Sequence, residues 1–263
     1  MGWNDAYWKN KEERKQRALQ HHEKMVKERG IEIWRSSQES KIYSFDVDNK
    51  FELNGNPEVS VENMDTVSAI LKYATDQNVI ALNFASYKNP GGGFLAGSSA
   101  QEESLCMESI LYEVLNSDVL SSFYEYNNQN KNKALYQNRA IFSPRILFMR
   151  DDRSVMASVL TVASPNRKAY MDYITNANEE ENLRALRSRI QFISQVIAVQ
   201  KADVAILGAF GCGVFGQDPE VVAKLFKEYM ANSNVKKVVY AVIDKGGHSK
   251  EGAYAIFKRV MEA

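Results

Sequence analysis

The sequence has few residues with which to hold a metal or build a disulfide framework. It contains two cysteines, Cys106 and Cys212, and three histidines, His21, His22 and His248. Two thiols do not make a disulfide scaffold. His21 and His22 lie in a charged stretch with no cysteine or acidic partner at ligand spacing, so no metal site is expected. No run of about 20 apolar residues is available to span a bilayer. The first residues lack the apolar core of an export signal. The 33 Lys and Arg residues balance 33 Asp and Glu residues, which leaves no overall field to gather nucleic acid or membrane nonspecifically. There is no internal repeat, low-complexity linker or coiled-coil heptad, and nothing in the pattern asks for an oligomer. These absences point to a cytoplasmic globular protein with reduced thiols and no bound cofactor; they favour a monomer and leave the oligomeric state open.

What is present is ordinary in amount and informative in order. Hydrophobic residues at 44% and charged residues at 25% are usual globular values, and 263 residues suffice to bury a sizeable core. Residues 4–30 are charged and rich in helix formers, with Gly30 as a stop. Their sparse apolar residues predict a surface helix lying on the core, anchored by Trp3, Trp8 and Trp34. Strands are predicted at 42–45, 59–61, 78–85, 140–142, 146–149, 155–163, 203–207 and 237–243. Helices are predicted at 64–74, 101–115, 179–200, 219–230 and 250–260, the last preceded by a turn at His248 with Ser249 as N-cap. Residues 121–139 are polar and asparagine-rich and read as a loop or irregular insertion. Strand–helix alternation in the second half calls for a largely parallel sheet with helices on both faces. Residues 1–40 form a helical extension and 41–263 the core.

Two glycine-rich stretches sit where an apolar strand ends and a helix begins. In the first, Gly91-Gly92-Gly93 is followed, after seven residues, by Gln101-Glu102-Glu103. Consecutive glycines let a ligand touch the main chain, and Pro90 before them argues for a shaped loop rather than a flexible turn. The second is Gly208-Ala209-Phe210-Gly211-Cys212-Gly213-Val214-Phe215-Gly216. A loop at such a junction can aim N–H groups at an anion. A Glu-Glu pair opening a helix has a plain reading too, a favourable contact with the helix dipole. Triple glycine and fixed spacing favour the other reading, an acid beside a phosphate cradle, suited to cleaving a phosphorylated sugar.

The stretch NFASYKNPGGGFLAGSSAQEE, residues 83–103, resembles the signature of bacterial-type poly(ADP-ribose) glycohydrolases, which are macrodomain proteins. LGAFGCGVFGQDPEVVA is similar to that family's diphosphate loop. Phe142-Ser143-Pro144, Phe148-Met149-Arg150-Asp151-Asp152 and Ala163-Ser164-Pro165-Asn166 agree in order. The resemblance implies an α/β fold, a three-layer α/β/α macrodomain with a mixed, largely parallel central sheet. It implies an enzyme that hydrolyses ribose–ribose O-glycosidic bonds from the end of poly(ADP-ribose), releasing ADP-ribose and reversing ADP-ribosylation. Glu103 would be the catalytic acid, kept protonated by burial, that protonates the leaving oxygen and then activates water. Glu102 would hold hydroxyls of the neighbouring ribose, since adjacent helical residues diverge by about 100°. Gln101 would fix the loop, and Gly91, Gly92 and Gly93 would receive the distal ribose. Macrodomains with Asn-Ala-Ala-Asn have here Asn83-Phe84-Ala85-Ser86, so Asn83, Ser86 and the following Asn89 become the candidate ribose contacts. Gly208 opens the second loop, whose Gly211, Cys212, Gly213 and Val214 would give N–H groups to the phosphates, with Phe215 on the terminal ribose.

Four other readings compete for the same residues. Gly211-x-Gly213-x-x-Gly216 satisfies a dinucleotide fingerprint, yet only one strand follows it and Asp244 lies beyond the usual spacing of about 20 residues. Cys212 has no basic residue near it in sequence and reads as a small buried thiol rather than a nucleophile. The same pocket could release single ADP-ribose groups from protein or nucleic-acid acceptors, or bind ADP-ribose without cleaving it. The intact Glu102-Glu103 pair speaks against a pure reader, because binding alone requires no acid there.

Overall fold

The computed structural model describes residues 10–45, 54–244 and 251–263. The expectations for Trp3, Trp8, His248, Ser249 and residues 4–9 fall outside these. Helix α1 (Lys11–Glu28) starts at Asn10, whose side chain accepts from the N–H groups of Glu12 and Glu13 at 3.1 and 3.2 Å. Gly30, expected as a stop, instead begins a second helix, α2 (Gly30–Glu39), after a break at Arg29. The remaining helices are α3 (Thr66–Tyr73), α4 (Gln101–Met107), α5 (Leu111–Leu115), α6 (Ser121–Gln129), α7 (Arg167–Tyr173), α8 (Glu179–Val199), α9 (Pro219–Met230) and α10 (Ala253–Glu262).

One mixed seven-stranded sheet carries the fold, in the order β1-β4-β5-β3-β6-β7-β2. Its strands are β1 (Lys41–Ser44), β2 (Glu58–Glu62), β3 (Val79–Phe84), β4 (Arg139–Arg150), β5 (Arg153–Val162), β6 (Val204–Leu207) and β7 (Lys237–Ala241). The β1–β4 and β4–β5 pairs are antiparallel; β5, β3, β6, β7 and β2 run parallel. The two strands expected at 140–142 and 146–149 are one long β4, interrupted by a register shift between Ser143 and Ile146 where Arg145 takes φ +54°.

Two apolar clusters cover the two faces of the sheet, and the strands supply both by alternation. Val79 and Ala81 of β3 and Val204 and Ile206 of β6 face one cluster with α3, α4 and α5. Ile80, Leu82, Ala205 and Leu207 face the other, with α8, α9 and α10. This is why the sequence shows near-continuous apolar runs there. The fold is therefore the expected α/β sheet with helices on both sides. Among the described residues no helix is long and apolar enough to cross a membrane.

Three local expectations are corrected. The helix expected over 101–115 is two helices. Between them Ser109 bridges to Phe148, and the Glu108 carbonyl accepts from Met149 N–H at 2.8 Å. The stretch 121–139 is not irregular throughout: α6 forms because it buries Phe123, Tyr124 and Asn127. Trp34 does not anchor the N-terminal segment, being 63% exposed; α1 docks through Arg14, Ala18 and Met25 instead.

Candidate active site

The first glycine loop leaves the carboxyl end of β3, and the second leaves the carboxyl end of its parallel neighbour β6. Ligand sites of open parallel sheets form at such strand ends. Phe84 at the end of β3 lies against Phe210 of the second loop, ring centroids 5.8 Å apart, and Gly208 is packed against Phe84 and the Ala241 carbonyl. The two loops are thus held side by side from below.

Gln101 joins α4 to β3. The register of β3 with β6 ends at Ala81. Beyond it, the Gln101 side chain donates to the Leu82 carbonyl at 2.9 Å and accepts from Phe84 N–H at 2.8 Å. It also donates to Thr66 Oγ1 at 3.1 Å. One side chain therefore continues the strand's pairing and fixes the helix start beside it.

Both glutamates that follow are buried, Glu102 at 2% exposure and Glu103 at 8%. Glu102 accepts from Asn83 Nδ2 at 3.1 Å and from Ser86 N–H at 2.7 Å. Asn83 also donates to Thr161 Oγ1 at 3.3 Å, and its Oδ1 has no partner. Burial pushes the Glu102 carboxyl up to about 8, against the opposing pull of these donors, with the neighbouring Glu103 charge adding to the rise. Glu102 therefore holds a proton at neutral pH. Glu103 accepts from Ala100 N–H at 2.9 Å, the contact of an ordinary helix-opening glutamate. It also accepts from Gly93 N–H at 2.9 Å, across the loop.

The two carboxylates converge despite their divergent positions on α4. A Cβ on Gly92 would lie 2.6 Å from Glu103 Oε1 and 2.8 Å from Glu102 Oε2. Gly92 and Gly91 both adopt positive φ, +61° and +64°, and a Cβ on Gly91 would strike the Tyr112 ring at 2.7 Å. The triple glycine is needed here because side chains, two of them carboxylates, already occupy the space beside it. Ser86 shapes the approach: its Oγ accepts from the N–H groups of Lys88 and Asn89. The Asn89 carbonyl takes Gly92 N–H at 3.1 Å, while the residue itself is exposed.

In the second loop Gly211 takes φ +76°, and a Cβ there would lie 2.2 Å from Ser164 Oγ. Gly213 has open space around it and Val214 is 76% exposed. Cys212 N–H is already bonded to the Ala209 carbonyl at 3.1 Å. Burial pushes the Cys212 thiol well up, away from thiolate chemistry. Among the described residues the N–H groups of Gly211, Gly213 and Val214 make no backbone hydrogen bond.

Several residues that frame the site had no sequence signal. Tyr87 stacks on Tyr136 at 4.2 Å, and Tyr136 lies 6.2 Å from Phe215, so this aromatic row ties the first loop to the second. Asn127 of α6, fully buried, donates to the Tyr87 carbonyl at 2.8 Å. Arg189 of α8 is 1% exposed, donates to the Ala163 carbonyl beside Ser164, and is pulled down to about 10 by burial. The asparagine-rich composition of 121–139 was the one visible hint that this region makes side-chain to backbone hydrogen bonds.

Comparison with known proteins places the chain in a family. Residues 8–151 match the model of the microbial-type PARG catalytic domain. A point mutant of the Deinococcus radiodurans poly(ADP-ribose) glycohydrolase, solved with ADP-ribose, shares 30% identity over 88% of this chain and 97% of its own, with a TM-score of 0.77. The Thermomonospora curvata poly(ADP-ribose) glycohydrolase bound to the inhibitor ADP-HPD shares 29% identity over 94% of this chain and 99% of its own, with a TM-score of 0.80. No curated protein sequence matches the chain.

Proposed function

The chain belongs to the family of microbial-type poly(ADP-ribose) glycohydrolases, and from that premise we propose that it removes ADP-ribose units from the end of poly(ADP-ribose), with Glu103 as acid and base. The observation that carries the residue assignment is the convergence of two buried carboxylates on Gly92, beside a second glycine loop with free N–H groups.

The diphosphate of ADP-ribose lies along the second loop, bonded by the N–H groups of Gly211, Gly213 and Val214, with Phe215 against the terminal ribose. That ribose rests on Gly91, Gly92 and Gly93, where no Cβ holds it off. Glu102, carrying its proton at neutral pH, can donate to one ribose hydroxyl and accept from another; Asn83 and Ser86 keep it in place. In the protonated form that this step requires, Glu103 gives its proton to the glycosidic oxygen as the bond to the anomeric carbon breaks. The resulting carboxylate takes a proton from water, whose oxygen bonds to that carbon. A positioned acid and base of this kind contributes roughly 10²–10⁴-fold.

Incubation with purified poly(ADP-ribose), with products resolved by size, tests this reading. Free ADP-ribose released from the first time points supports end-directed cleavage. Oligomers appearing first would refute end-directed cleavage. Tight ADP-ribose binding without any release from polymer would move the substrate to single ADP-ribosyl groups or make the chain a reader.

A further inference from the structure

The loop 93–100 is a stiff unit with Glu103 held at its two ends. Inside it, the Gly93 carbonyl accepts from Ala96 and Ser98 N–H groups at 3.0 and 3.1 Å, and Gly97 N–H bonds the Phe94 carbonyl at 3.0 Å. Ser98 fills the space a Gly93 side chain would need, 2.3 Å from a Cβ there. Gly93 N–H and Ala100 N–H, at the ends, each meet one oxygen of the Glu103 carboxylate. Any shift of the loop as a body therefore shifts the carboxylate.

Helix α1 packs against this unit from outside, while Phe94 roots it in the core. Gly97 adopts φ +74° directly against the helix backbone: a Cβ on it would lie 2.4 Å from the Lys11 carbonyl oxygen and 2.9 Å from Lys15 N. Arg14, 8% exposed and the buried charged residue of the helix, donates its Nε to the Gly97 carbonyl at 2.8 Å. One turn pair further along, the His21 ring meets Phe94 edge-on at 6.2 Å, and its Nε2 contacts the Ser109 carbonyl at 2.8 Å, just beyond α4. The helix thus touches both the loop and the far end of the element that bears the two glutamates.

We propose that Arg14 is a positioning residue for the reaction: it sets the height of loop 93–100, and through the N–H groups of Gly93 and Ala100 the place of the Glu103 carboxylate. This rests on Glu103 being the acid and base. A displacement of about 1 Å in a reacting group costs on the order of a hundredfold in rate.

The test is steady-state hydrolysis of poly(ADP-ribose), with ADP-ribose affinity by calorimetry, for wild type, Arg14→Met, Arg14→Lys, Met25→Ala and Glu103→Ala. Arg14→Met is expected to lower kcat by roughly tenfold to a hundredfold while KM and the ADP-ribose Kd stay at wild-type values. Met25→Ala, which removes a side chain 2% exposed at the other end of α1, is expected to lower Tm and keep kcat. Arg14→Lys keeps the charge and loses the Nε donor, so its kcat falls in the same sense; it carries the test if Arg14→Met does not fold. Wild-type kcat in the Arg14 variants, or equal losses of kcat in Arg14→Met and Met25→Ala, would overturn the inference alone. Full turnover in Glu103→Ala, or none in wild type, would instead overturn the reading of the site on which it rests.

Discussion

Replacing Glu102 by Gln removes a titration that the fold resists, and the size of the effect can be worked from its surroundings. Unfolded, this carboxyl releases its proton near 4.5; folded, burial holds the proton up to about 8. The folded value is the higher one, so the stability linked to the group is complete below pH 4.5 and is lost as pH rises toward 8. At about 1.36 kcal/mol per unit, the loss is roughly 3 kcal/mol at pH 7 and at most about 5 kcal/mol above pH 8. A Gln has the same shape and no proton to lose. Its carbonyl can accept from Ser86 N–H as Glu102 Oε2 does. Its NH2 then faces Asn83 Nδ2, a conflict relieved when the Asn83 amide turns its unpartnered Oδ1 inward. That rearrangement costs on the order of 1–3 kcal/mol and does not vary with pH. The assay is urea unfolding of both proteins at several pH values between 4.5 and 8. The difference between them is expected to move by a few kcal/mol in favour of Glu102→Gln as pH rises. Parallel stability curves for the two proteins would mean that Glu102 titrates alike folded and unfolded, against this expectation.

Three further outcomes follow from the same geometry. Gly92→Ala places a Cβ 2.6 and 2.8 Å from the two carboxylates at φ +61°, so hydrolysis should fall by about a hundredfold or more, measured as kcat on polymer. Gly211→Ala drives a Cβ into Ser164 Oγ and displaces the second loop; ADP-ribose affinity should weaken by about tenfold, roughly 1.4 kcal/mol, read by calorimetry. Arg150→Met strips the guanidinium that joins Asp65 at 2.8 Å, Ser68 Oγ at 2.6 Å and the buried Glu108 carboxylate. Two carboxylates then lie together without their cation, and denaturation should show a loss of about 3–5 kcal/mol.

The strand-loop-helix junctions were legible because each depends on local signals: an apolar run, glycines, then a helix start with acidic residues. The Glu102-Glu103 pair could be picked out as a candidate for the same reason. What joins the parts was not legible. Arg14 reads as one more charge on a solvated helix until its partner, the Gly97 carbonyl 83 positions away, is seen. Tyr136 and Asn127 look like residues of a polar insertion, because asparagine and serine have low helix propensity; tertiary burial of Phe123 and Tyr124 overrides that preference and makes α6. The helix over 101–115 breaks at Ser109 because Phe148 of β4 claims its backbone, a pairing no window of sequence contains. Adjacent glutamates were expected to diverge, and their backbones do. Side chains long enough to return to Gly92 bring the carboxylates together.

In the proposed mechanism Glu103 performs the proton transfers while the rest of the site binds. The most direct measurement is Glu103→Gln beside wild type, with hydrolysis of poly(ADP-ribose) and the ADP-ribose Kd determined on the same preparations. Turnover should fall by roughly 10²–10⁴-fold while the Kd is kept. Undiminished hydrolysis by Glu103→Gln would contradict that mechanism, and so would a loss of turnover that merely follows a loss of ADP-ribose binding.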